Sequence, residues 1–160
     1  MVPLPGLGET YAHGRTQIEE VFMSTTMQDL TIVLEDKPGA LAKAAEAIAA
    51  ERINIEGGAT INCGGEGIFH ALFKTEQDAT AAKRALEKIG FKVRAQEPVV
   101  VEQAQDKPGE VARIFRAIAD AKVNVEFTYV ATNTRVVIGS KDAQKVTEAL
   151  GAPTITGARR

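Results

Sequence analysis

The segment LEDKPGALAKAAEAIAAERINIEGG, from Leu34 to Gly58, returns 70 positions later as AQDKPGEVARIFRAIADAKVNVEFT, from Ala104 to Thr128. Self-similarity at a fixed offset marks a duplicated structural unit. Whatever the first copy folds into, the second must fold into as well, and both have to fit in 160 residues. That length suits one ordinary domain or two small ones.

Hydrophobic periodicity predicts the unit. DLTIVLED, from Asp29, sets Leu30, Ile32 and Leu34 against Thr31, Val33 and Glu35, a strand with one apolar face. Pro38-Gly39 ends it and opens a helix, because proline is tolerated in a first helical turn. Leu41, Ala44, Ala45 and Ile48 form that helix's stripe. RINIEGGATIN and IFHALFK predict a hairpin around GGEG at 64–67. Thr75, with Asp78 three residues on, caps a helix presenting Ala82, Ala85, Leu86 and Ile89 and stopped by Gly90. FKVRAQE is the last strand. The second copy repeats the order. VVVEQAQ leads to a helix lined by Val111, Ile114, Phe115 and Ile118, then a hairpin around Asn133-Thr134. A helix capped by Ser140 and bearing Val146, Ala149 and Leu150 follows, and the strand PTIT closes the copy. The expected class is α+β: two ferredoxin-like βαββαβ units in tandem, with antiparallel sheets and helices on one face. The expected boundaries are a flexible lead-in at 1–27, with a short helix near Thr16 to Phe22, then units at 28–97 and 98–160. Met23 and Met27 are alternative starts to Met1.

Two details bear on how the units meet. FKVRAQE runs through Pro98 into VVV with almost no linker, so the units must touch, and edge pairing into one larger sheet would remove two open edges. The strand IFHALFK is apolar on both phases, so its second face is expected to be covered, by the partner unit or by another subunit. At the repeat offset Glu102 takes the place of Ile32, which would aim a carboxylate at the helices. A bulge or register slip is the expected repair, a pocket-facing carboxylate the alternative.

The formal charge of −2 and 5% aromatic content argue against nucleic acid as a partner. No apolar run reaches the length of a membrane-spanning helix, and the N-terminus has no signal-peptide pattern. Cys63 is the sole cysteine, so no intrachain disulfide forms, which fits a reducing cytoplasm. His13 and His70 have no nucleophile partner, and His70, alternating with apolar residues, is expected to be structural. No catalytic constellation, metal-ligand spacing or cofactor motif is present.

An apolar strand, Asp-Lys-Pro-Gly, an Ala-rich helix and then INI or VNV resembles the ACT domain, a regulatory module of amino-acid metabolism. The resemblance covers roughly residues 28–156 and extends to stand-alone tandem ACT proteins, which carry no catalytic domain. It implies a non-enzymatic sensor that binds a free amino acid where two units meet. The ligand contacts it implies are Asp36, Pro38, Gly39 and Asn54 in the first copy, and Asp106, Pro108, Gly109 and Asn124 in the second. Elementary chemistry agrees. A helix start offers N–H groups and positive dipole to a carboxylate. Glycine admits a ligand close to the backbone. An aspartate receives an ammonium, and an asparagine amide serves either group. Each residue also has a plainer role: the aspartates as helix caps, the glycines as turn formers, the asparagines as turn residues. Gly57-Gly58-Ala59 stands where the second copy has Phe127-Thr128-Tyr129. Either this is core packing, or only one pocket is open, or the two pockets prefer different ligands. A homodimer and a docked partner protein are the expected assemblies, and a ligand-free docking module is the alternative function.

Overall fold

The computed structural model describes residues 25–151. His13, the short helix near Thr16, Met23 and the closing strand PTIT lie outside them. The order is β1 (Thr25–Glu35), α1 (Ala40–Ala50), β2 (Gly57–Cys63), β3 (Glu66–Phe73), α2 (Glu76–Lys88), β4 (Lys92–Gln103), α3 (Glu110–Asp120), β5 (Phe127–Ala131), β6 (Arg135–Gly139) and α4 (Ala143–Ala149). All six strands join one antiparallel sheet in the order β2-β3-β1-β4-β6-β5.

The two expected sheets are thus one, because β4 is unbroken. Its first half is the last strand of copy one and its second half the first strand of copy two. Pro98, which has no N–H, sits opposite Gln28 before β4 gains β6 as a second neighbour at Val100. β1 begins at Thr25, four residues earlier than its alternation predicts, and Met27 is buried in it.

Register fixes the faces. Thr26 lies opposite Val100 and Met27 opposite Val99. Since side chains alternate along a strand, Leu30 shares a face with Val100, and Asp29 with Val99. On the first face Leu30, Ile32, Leu34, Phe69, Ala71 and Phe73 pack against Ala44 and Ile48 of α1 and Ala82 and Leu86 of α2. Val100, Val136 and Ile138 pack there against Ile114 and Ile118 of α3 and Val146 of α4. The buried row of α1 is Ala40, Ala44 and Ile48, one position round from the predicted stripe, so Leu41 is exposed, as is Val111 at the same repeat position.

The second face carries Met27, Leu72, Val99, Val101, Tyr129, Ala131 and Val137, all buried. It is covered because the sheet curls. Three strands lie between β3 and β5 in the sheet, yet the rings of His70 and Phe127 stack at 4.2 Å between centroids. At the two edges a Cβ on Gly57 would lie 2.4 Å from that of Ala131. Glycine there lets β2 close on β5. The gap beside Gly57 is therefore filled by the other copy's strand and is not free space for a ligand. The face that suggested a homodimer is covered within one chain.

Glu102 keeps its register, opposite Val136, and is buried on the helix side. The expected slip does not occur there; the irregularity falls between Thr31 and Ile32 in the β1–β4 ladder. The Arg113 guanidinium of α3 has its pKa raised first by Glu110, with the Glu102 charge adding to it.

Candidate functional site

Both Asp-Lys-Pro-Gly turns are exposed on the rim of the sheet. Pro38 and Pro108 lie just outside the helices. Gly39 and Gly109 are the N-cap residues, at φ 87° and 88°. An L side chain strains in that left-handed region, which accounts for glycine at both. A Cβ at either would meet no atom within 4 Å, so close protein packing is not the reason. No side chain caps α1 or α3, so Asp36 and Asp106 are not their caps. The other two helices cap themselves. Asp78 N–H donates to Thr75 Oγ1 at 3.1 Å and Lys145 N–H to Asp142 Oδ1 at 3.2 Å. Asp142, and not the expected Ser140, caps α4; Ser140 donates to the Asn124 carbonyl instead.

Beside the first turn lies an open groove of about 440 Å³, a size suited to a small molecule. Leu34, Ala40 and Phe91 are among its apolar lining, and Lys37, Lys43 and Lys92 stand against Glu35 and Glu66. Both carboxylates are already paired, Glu35 with Lys37 and Glu66 with Arg94. Lys37, and after it Lys43, hold the Glu35 carboxyl below the usual carboxylate range. Asp36, Pro38 and Gly39 form the adjoining turn but do not line the groove.

Asn54 is not at this end. β2 enters with Gly57 opposite Leu72, itself opposite Asp29, and leaves with Cys63 opposite Glu66, itself opposite Glu35. Six strand residues span about 20 Å, so Asn54 stands at the far rim from Asp36. It faces the second copy there. Asn54 Nδ2 donates to Glu56 Oε1 at 2.8 Å, and Arg135 donates to Glu56 Oε2 at 3.1 Å and to its carbonyl. These bonds, the Asn54 amide foremost, lower the Glu56 pKa. Thr132 Oγ1 also donates to the Glu56 carbonyl. Arg135 lies opposite Gln103, three residues before Asp106. The fold therefore brings Asn54 of copy one to the rim that carries the Asp106–Gly109 turn of copy two. Asn124 lines a separate hollow of about 180 Å³ with Glu126, Ser140 and Asp142 among others.

Sequence reasoning missed the polar centre of the curl. Asp29 is fully buried; Tyr129 Oη donates to its Oδ2 at 2.7 Å, and His70 Nδ1 lies 2.8 Å from its Oδ1. Burial raises the Asp29 pKa against the opposing pull of His70 and Tyr129. Burial and the Asp29 charge raise that of Tyr129. Burial, then Asp29 and Glu126, raise Glu97, which lies opposite Asp29 in β4. The available signal was an aspartate on the phase of Met27, where the second copy has Val99. His70 is buried in β3, in keeping with its alternation with apolar residues.

No protein-family model matches the sequence, and no curated protein matches it. Solved structures do. Protein BT0572 from Bacteroides thetaiotaomicron is 27% identical with a TM-score of 0.68, over 79% of this chain and 88% of that one. The ligand-free regulatory subunit of aspartate kinase from Thermus thermophilus is 22% identical with a TM-score of 0.58, over 78% and 89%. The regulatory subunit of aspartate kinase from Thermus flavus is 20% identical with a TM-score of 0.53, over 79% and 91%. At such identities the last two speak to architecture only: this chain shares their α+β fold.

Proposed function

We propose that the chain is a non-catalytic regulatory protein built of two ACT-like units, residues 28–97 and 98–160 after a lead-in, that binds a free amino acid beside its Asp-Lys-Pro-Gly turns. The observation that carries this reading is the groove beside the first turn. It adjoins a helix start with no side-chain cap, and both carboxylates on its wall are already paired. The backbone N–H groups there suit the ligand's carboxylate, and Asp36 its ammonium. In the second copy Asp106, Pro108 and Gly109 form the corresponding turn, with Asn54 on the same rim. Asn124 belongs to the same proposal through its own hollow, apart from the groove.

Thermal unfolding of the full chain against each standard amino acid is the test. A ligand held at about 100 times its dissociation constant adds about 2.7 kcal/mol. At ~2–4 °C per kcal/mol the midpoint should rise by roughly 5–10 °C. A flat response to every amino acid refutes the reading. It would favour the docking module instead, for which the exposed Leu41 and Val111, at one repeat position on α1 and α3, are the supporting observation.

A further inference from the structure

The two copies differ where a ligand carboxylate would sit. In copy two the first residue of α3 is Glu110, buried to 6% exposure, and its carboxylate accepts from Arg113 Nη2 at 2.8 Å with Lys107 Nζ 4.0 Å away. Arg113 holds the Glu110 carboxyl below the usual range. Seventy positions earlier the chain keeps both cations, as Lys37 and Lys43, and replaces the carboxylate by Ala40. All three line the groove, and Lys92 adds a further cation. Glu35, where copy two has Gln105, pairs with Lys37, but its side chain is 73% exposed. An exposed pair of this kind is weak, and it leaves the space over Ala40 open.

We infer that a small-molecule carboxylate in the copy-one groove takes the place that Glu110 fills in copy two, so that each chain binds one ligand and not two. This rests on the proposed amino-acid binding and says which turn is competent. Lys43 is the direct ligand cation, as Arg113 is for Glu110. Copy two supplies its own anion from within its helix, so its turn is permanently occupied.

The experiment is an amide NMR titration of the full chain with whichever amino acid raises the unfolding midpoint, and with acetate as a bare carboxylate. Shifts should cluster at residues 40–43 and be absent at 110–113, and calorimetry should give one site per chain. Ala40→Glu, which copies the second sequence into the first, should weaken binding by at least about tenfold while raising the ligand-free midpoint. Ala40 is buried, so Lys43→Gln is the companion variant should that substitution disturb folding. It too should weaken binding by about tenfold. Glu110→Ala should create a second site. Two sites in the unaltered chain, or shifts at 110–113, would overturn the inference and leave the amino-acid reading standing. The absence of any shift would remove both. Acetate acting alone at residues 40–43 would support the carboxylate cradle; an amino acid acting elsewhere would refute it.

Discussion

Removing one oxygen from Tyr129 tests whether the buried centre ties the two copies together. Tyr129→Phe keeps the ring, which packs beside Phe127 and His70, and deletes only the 2.7 Å bond to Asp29. A hydrogen bond to a charged group contributes about 1.5–3 kcal/mol. Asp29 is fully buried, so water does not replace it. At ~2–4 °C per kcal/mol the midpoint should fall by roughly 3–12 °C. The pH dependence sharpens the test. The Tyr129 bond lowers the Asp29 pKa, against a larger rise from burial, so deleting it raises that pKa further. The folded variant then holds more protons than the folded wild type across the interval between their two Asp29 pKa values. The stability gap must therefore widen as pH rises through that interval and narrow as pH falls. Urea unfolding of both proteins from acid to neutral pH measures it. A neutral-pH gap under about 0.5 kcal/mol, below any ordinary hydrogen bond, or a gap that grows toward acid, would refute a charged Asp29 held by Tyr129.

Gly57→Val should cost about 1–3 kcal/mol by overpacking against Ala131, read as a lower urea midpoint; an unchanged midpoint would mean that β2 and β5 are not held together. Thr75→Ala should cost about 1 kcal/mol by removing the α2 cap, whereas Asp36→Ala should change ligand-free stability by less than about 0.5 kcal/mol, since α1 has no side-chain cap to lose. Arg135→Ala should cost about 1–3 kcal/mol, since it takes the guanidinium from the half-buried Glu56 carboxylate and leaves it the bond from the Asn54 amide; hydrogen exchange should then quicken in β5 and the start of β2 before the rest of the sheet.

The repeat made most of the element order legible, because 3.6-residue and two-residue periods are local properties of the chain. What it could not convey is how the copies share structure. That β4 is one strand depends on Pro98 meeting an edge that is not yet paired, a fact of register. That Gly57 is small depends on Ala131, 74 positions away (131 − 57 = 74), and no local pattern reveals such a neighbour. The turns were readable as turns, and their positive φ explains the glycines. The repeat puts Asn54 in one copy with Asp36, but strand direction sends it to the opposite rim. Lys43 and Lys92 lie far apart in sequence, one on a helix and one on a strand, and only the fold brings them to one groove.

The continuous β4 also limits how occupancy of the groove is reported. Two domains on a flexible linker could answer a ligand by swinging apart, but here one strand belongs to both copies and β1 pairs along nearly its whole length. The joint that is free to change is the other one, where β2 and β5 approach without a strand ladder, through Gly57 against Ala131, Glu56 with Arg135 and Thr132, and the stacked rings of His70 and Phe127. β1 connects the two regions: Val33, Leu34 and Glu35 line the groove, while Met27 and Asp29 lie in the core beneath that joint. A ligand in the groove can shift this joint only by binding its closed and open arrangements with different affinity. If it does, loosening the joint must weaken the ligand by the same free energy that the ligand adds to the joint. Arg135 touches no groove residue in the contacts described above, so a change in ligand affinity in Arg135→Ala would report that coupling directly. Unchanged affinity would confine the ligand's effect to the first copy.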